Sequence, residues 1–154
     1  MLRGLRICLY GLGLSAVLIA LSIMVLGAQA TAAMAEQIFA RLSGWRGPAS
    51  GPWPPTMDSE LRFYAALWGA YGLVALQTAW RPQQALRRAP WLAAIFFAGG
   101  VGRVLSRVSV GPPHPFFTLL MVIELSLPAL MTLLWLGARA AQRRRPPGAA
   151  ATPD

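Results

Sequence analysis

Three ionisable residues stand inside otherwise apolar runs: Arg103, Arg107 and Glu124. A charge within a membrane-length apolar stretch costs at least ~2.5–3.5 kcal/mol on insertion scales, so it faces a partner or a wet cavity. At a rise of ~1.5 Å per residue, Arg103 lies ~10 Å from the end of its run and Glu124 ~12 Å from the start of the next. A five-residue turn, 111–115, joins the two runs, which makes them antiparallel neighbours. A bidentate guanidinium–carboxylate pair between Arg103 and Glu124 is therefore expected. Arg107, at i+4 from Arg103, shares its face. Asp58, Glu60 and Arg62 open an earlier apolar run at the same level. Together, Arg62, Arg103 and Arg107 with Asp58, Glu60 and Glu124 are expected to form a nearly neutral network. His114, in the turn, is within reach of it, although taken alone it reads as an exposed turn residue.

Such a set supports two kinds of chemistry. It is either a structural clasp that fixes helix register, or a pocket. In a pocket, Arg103 and Arg107 would anchor an anionic or carbonyl group and Glu124 would handle a proton. No catalytic set stands beside it. The chain has one His and one Cys, so a cysteine-based zinc site, a His-rich metal site and an internal disulfide are excluded. No metal and no cofactor is expected. The Gly11-Leu-Gly13-Leu-Ser-Ala16 segment matches a dinucleotide fingerprint on paper, but it lies in an apolar run with no strand before it. Gly99-Gly100-Val-Gly102-Arg103 lacks the Lys-Ser/Thr ending of a phosphate loop.

The elements that position these residues follow from composition. The chain has 154 residues, 56% hydrophobic and 12% charged, with a mean hydropathy of +0.51. Soluble domains carry roughly 25% charged residues, so an ordinary soluble domain is excluded. A membrane helix needs ~20 mostly apolar residues. Four stretches qualify: 7–27, 61–80, 91–110 and 116–136. The expected fold is all-α, a four-transmembrane-helix bundle over residues 1–138, with an outer loop at 28–59. Within that loop, 32–43 reads as an amphipathic extension and 44–55, dense in Gly and Pro, as irregular. Asp58 and Ser59 read as N-cap residues of the second span, Pro90 as part of the first turn of the third, and 81–89 as a short basic connection. The first span also resembles a signal peptide, with a small-residue site at 28–30, but it exceeds the usual ~7–15 apolar residues. A retained span is the favoured reading.

All 14 basic residues are Arg against 5 acidic ones, a net charge of +9. In a soluble protein this would point to nucleic acid. Here the arginines sort by side. Arg3, Arg6, Arg81, Arg87, Arg88, Arg139, Arg143, Arg144 and Arg145 fall on one side; Arg41, Arg46 and Arg62 fall on the other. The positive-inside rule then places both termini in the cytoplasm. Nucleic acid is not an expected partner. The tail, 139–154, is rich in Arg and Pro and reads as disordered. Its Arg143, Arg144 and Arg145 are expected to attract anionic lipids.

Small residues suggest how the helices pack. Ala98, Gly102 and Ser106 recur every four residues on the third span, beside Gly99, as do Ala65 and Gly69 on the second. That spacing lets backbones approach closely. Pro128 frees the carbonyl of Glu124, so a bend is expected beside the carboxylate.

Several segments together resemble a bacterial family of small four-helix membrane proteins, itself a domain of unknown function. They are Glu60-Leu-Arg-Phe-Tyr-Ala-Ala-Leu-Trp-Gly, Phe96-Phe-Ala-Gly-Gly-Val-Gly-Arg-Val-Leu-Ser, Gly111-Pro-Pro-His-Pro and Glu124-Leu. The resemblance runs over roughly residues 5–138. It implies a multi-pass protein of the bacterial inner membrane and carries no reaction. The expected function is a non-catalytic accessory subunit, or a binder of a lipid or other apolar ligand, in a larger membrane complex or homo-oligomer. The alternative is a membrane enzyme or carrier for an amphipathic substrate such as a quinone, a sterol-like molecule or a lipid. An ion or proton pathway has thin support in one buried carboxylate and two arginines.

Overall fold

The computed structural model describes residues 1–144. They form five helices: α1 Leu2–Leu26, α2 Ala28–Ser43, α3 Pro55–Trp80, α4 Pro82–Val110 and α5 Pro115–Arg143. No strand occurs among the described residues.

Prolines set three of the helix starts. Pro55, Pro82 and Pro115 each occupy the first helical turn. There the missing N–H is one of the groups a helix leaves unpaired anyway, and the fixed φ is already helical. This overturns two sequence expectations. α3 starts at Pro55, with Pro54 as its N-cap, so Asp58 and Ser59 lie within the helix rather than capping it. α4 starts at Pro82, with Pro90 in its interior, so the expected basic connection shrinks to Arg81. Of the expected tail, 139–143 belongs to α5; the remainder from 145 lies outside the described residues. The loop between α2 and α3 is irregular, as its Gly and Pro content predicts.

α1 and α2 are separated by a single residue, Gly27, at φ 90°. An L side chain resists this backbone conformation and Gly does not. The junction is locked from three sides. The Ala28 N–H donates to Asp58 Oδ1 at 2.9 Å. Arg62 donates to the Met24 carbonyl at 2.6 Å and to Asp58 Oδ2 at 2.8 Å. The Thr31 hydroxyl donates to the Gly27 carbonyl at 2.8 Å.

The long helices run antiparallel in pairs. At one end of the α1–α3 pair, Arg6 Nε donates to the Ala79 carbonyl at 2.7 Å. In the middle the backbones touch at Gly13 and Gly72. At the other end stand Gly27 and Arg62. α4 and α5 pair in the same way, from Leu86 and Trp135 at one end to Arg107 and Thr118 at the other. Tyr71 Oη donates to the Leu92 carbonyl at 2.8 Å and Trp68 stacks on Phe96, which ties α3 to α4. Gly4 of α1 faces Leu134 of α5. Both chain ends of the described segment therefore lie at one end of the molecule. The core sits in that half, built from Leu5, Leu9, Leu12, Ala75, Ala79, Leu92, Phe96 and Met131 among others.

α1, α4 and α5 are long and apolar enough to cross a membrane. α3 is as long, but Trp68, Tyr71, Gln77 and Thr78 dilute its apolar stretch. Three of these side chains have inward work: Tyr71 and Trp68 meet α4, and Thr78 is fully buried; Gln77 is exposed and accepts from Arg88. Large apolar side chains such as Leu18, Val25, Leu73, Ile95, Val108 and Leu133 stand exposed around the helices. Soluble domains rarely leave apolar surface of this extent uncovered.

Candidate functional site at the two ends of the α4–α5 pair

The expected Arg103–Glu124 pair is present. Arg103 Nε donates to Glu124 Oε2 at 2.6 Å, with the Glu124 side chain only 12% exposed. Contact is through one nitrogen rather than the expected bidentate fork. The Arg103 guanidinium also lies 5.9 Å from the Phe117 ring centroid, within cation–π range. The two helices come close here because of Gly100. A Cβ at that position would lie 2.9 Å from Leu125 Cδ2 and 3.1 Å from Glu124. Pro128 is buried, and α5 runs on through it.

The wider network is not assembled. Arg107 donates to the Thr118 hydroxyl at 3.3 Å and pairs with no carboxylate among the described residues. Arg62 pairs with Asp58, and this pair serves the α1–α2 junction. Glu60 is exposed and makes no ion pair among the described residues. Two separate ion pairs thus replace the single network. The reason is topological: α3 meets α4 through Trp68, Tyr71 and Gln77, away from Arg62. The side-chain bond from Arg62, aided by the Ala28 N–H, holds the Asp58 carboxyl below its usual range.

His114 is the N-cap of α5, its Nδ1 accepting from the Phe116 N–H at 3.2 Å. Its ring packs edge-on against Phe39 and Trp45, so it docks α2 rather than joining the arginines. A polar contact absent from the sequence reading holds the same end. Glu36, only 4% exposed, accepts from the Ser50 N–H at 3.0 Å and from the Ser50 hydroxyl. A lone carboxylate on the apolar face of an amphipathic segment was the available signal.

The small-residue stripe lies on the wrong face. Ala98, Gly99, Gly102 and Ser106 are all exposed, and a Cβ at Gly99 or Gly102 would meet nothing within 4 Å. Gly100 is the glycine that packs. Gly69 does pack, with a Cβ there 3.2 Å from Ala20.

The opposite end of α4–α5 holds a cleft of about 660 Å³. Gln83, Leu86, Arg87, Pro90 and Trp91 line it from α4; Trp135, Arg139 and Gln142 line it from α5. Its origin is local. Pro90 has no N–H, so the Leu86 carbonyl four residues earlier loses its helical partner. Trp135 Nε1 supplies the missing bond, donating to the Leu86 oxygen at 2.7 Å. The Arg139 guanidinium then sits over the Trp135 ring, 4.9 Å from its centroid. A smaller hollow of about 320 Å³ adjoins, lined by Gln84, Arg87, Arg88 and Trp91. In the sequence Arg87, Arg88 and Arg139 signal only orientation across a membrane.

Among the described residues no group of three or more His, Cys, Asp or Glu side chains is placed to hold a metal. No curated protein and no solved structure matches the chain. Residues 4–136, which include most of all five helices, match DUF4345, a domain of unknown function, and the chain belongs to that family.

Proposed function

We propose that this chain is a four-span protein of the bacterial inner membrane, with both termini cytoplasmic, and that it acts without catalysis as a binder of an amphipathic ligand. One observation carries the binding role: the α4–α5 cleft combines apolar surfaces with polar heads. Leu86, Pro90 and two indole rings offer the former; Arg87, Arg139, Gln83 and Gln142 offer the latter. A volume of about 660 Å³ falls within the ~300–1,000 Å³ of ordinary ligand sites.

The four-span reading is supported by pairing along whole helices. α3 runs beside α1 from Ala79–Arg6 to Arg62–Gly27, so a membrane that α1 crosses is one that α3 crosses with it. The polar aromatic residues at its middle, Trp68 and Tyr71, face α4, as polar groups in hydrocarbon must find partners. Orientation rests on the arginine asymmetry. Under this reading Trp80, Trp91 and Trp135 stand at the cytoplasmic interface, where amphipathic rings concentrate. Arg103–Glu124 closes on itself in the opposite half and serves as the clasp between α4 and α5.

Native mass spectrometry of the protein released from membranes tests the binding role. One amphiphile-sized adduct per chain is expected. Trp91 is 74% exposed, so Trp91→Ala should leave helicity intact while reducing the adduct by about tenfold, the loss expected for an aromatic wall worth about 1.4 kcal/mol. An adduct indifferent to Trp91→Ala, or none in any preparation, would contradict the assignment.

A further inference from the structure

We infer that the α4–α5 cleft is selective for the phosphate headgroup of an anionic phospholipid, held between Arg87 and Arg139. The inference rests on the binding role proposed above and adds the ligand class.

Charge is the first ground. The acidic residues among those described are Glu36, Asp58, Glu60 and Glu124. Asp58 and Glu124 are engaged elsewhere by arginine and Glu36 by Ser50, and no carboxylate lines the cleft. Arg87 and Arg139 make no ion pair among the described residues. Two guanidinium groups facing one hollow without a counter-ion repel each other, and an anion between them relieves this. Arginine also matches phosphate oxygens with planar, paired N–H donors.

Preorganisation is the second ground. Arg139 does not sweep freely: its guanidinium lies on the Trp135 ring, and that ring is pinned by its N–H to the Leu86 carbonyl. The pin exists because Pro90 leaves that carbonyl without its helical donor. A guanidinium already placed loses less freedom when it takes up an anion. Gln83 and Gln142 flank the arginines and offer amides to headgroup hydroxyl or ester oxygens. Trp91, Leu86 and Pro90 supply apolar wall for the acyl side of the same molecule.

A phosphate could equally come from a soluble anion, and general attraction to a basic helix end could mimic a site. The test separates these. The full-length protein in neutral detergent is titrated, by native mass spectrometry, with short-chain phosphatidylglycerol, short-chain phosphatidylcholine and inorganic phosphate. Phosphatidylglycerol should bind about tenfold more tightly than phosphatidylcholine, whose phosphate is the same but whose choline cation would face Arg87 and Arg139 and be repelled by them; inorganic phosphate, lacking the apolar contacts, should not bind over the same range. Arg87→Gln, at an exposed position, and Arg139→Gln should each remove most of this preference. Arg139→Lys should retain only part of it, because the ammonium lacks the stacked plane. Arg143→Gln with Arg144→Gln removes two charges from the same helix end and should leave the preference unchanged.

Equal binding of the two lipids would overturn the headgroup assignment while leaving an amphiphile site in place. Binding of neither would overturn both readings. A loss with Arg143→Gln and Arg144→Gln as large as with Arg139→Gln would reduce the effect to general charge. Equal affinity for inorganic phosphate would make the site one for a soluble anion.

Discussion

Glu124→Gln is expected to destabilise the protein by about 3–5 kcal/mol, and Arg103→Leu by a similar amount, because each leaves a charge without its partner in a low-dielectric site. The geometry supports a direct coupling. The two groups are 2.6 Å apart, and no other carboxylate is paired with Arg103 among the described residues. Glu124 is only 12% exposed, and under the proposed four-span reading the exposed part of Arg103, which lies against the Phe117 ring, faces lipid rather than water, so screening offers little relief. Replacing both residues by Leu should recover much of the loss, since exchanging a whole buried pair for apolar groups is often near neutral. Unfolding of the single and double variants in detergent micelles gives the coupling energy directly. Additive losses would mean that the two side chains do not interact. The cycle also tells clasp from ligand site: a clasp needs only packing, so the double variant should bind the cleft ligand as the parent does.

Comparable damage is expected where α1 crosses α3. A Cβ at Gly13 would lie 2.8 Å from the Gly72 carbonyl oxygen and 2.9 Å from the Leu76 nitrogen. A Cβ at Gly72 would lie 2.8 Å from the Gly13 oxygen. Both obstacles are backbone, so no side-chain rotation removes them, and the helices must separate. Gly13→Ala and Gly72→Ala should each cost about 1–3 kcal/mol, the usual range for overpacking, and Gly72→Leu more. Gly11 stands two residues away on the same helix, and a Cβ there meets nothing within 4 Å. Gly11→Ala should therefore be neutral, or stabilising by up to about 1 kcal/mol through helix propensity. Thermal unfolding of the four variants checks the contrast. Equal effects at positions 11 and 13 would refute the close crossing.

Residues 11 and 13 also show what sequence could and could not disclose. Two glycines two residues apart look alike in a string, yet about 200° of helix rotation separates them, and only the partner helix decides which is needed. The same ambiguity misplaced the stripe on α4. Gly99, Gly100 and Gly102 are close in sequence, and the four-residue repeat favoured Gly102, whereas Glu124 and Leu125 press on Gly100. Depth was easier to read than direction. The helix rise and a short turn sufficed to bring Arg103 to Glu124, because both quantities run along the chain. Linking Arg62 and Glu60 to that pair required knowing where α3 meets α4, which no local rule supplies. Helix starts were legible in principle. Pro55, Pro82 and Pro115 mark them, but Asp58 and Pro90 carry competing start signals that tertiary contacts put to other use. The cleft was hidden because its key bond, Trp135 to Leu86, joins residues 49 apart through a carbonyl freed by a proline.

Site-directed labelling of the two ends in sealed cells tests the four-span account most directly. On a Cys8→Ala background, Ala49→Cys samples the exposed α2–α3 loop and Ala141→Cys the exposed end of α5. With α1, α3, α4 and α5 all crossing and the arginine-rich end inside, a membrane-impermeant maleimide should modify position 49 in intact cells. It should reach position 141 only after the membrane is opened. If α3 does not cross, both positions fall on one side of the membrane. Labelling of both positions from outside intact cells would therefore contradict the four-span bundle, and labelling of position 141 alone would contradict the cytoplasmic placement of the cleft.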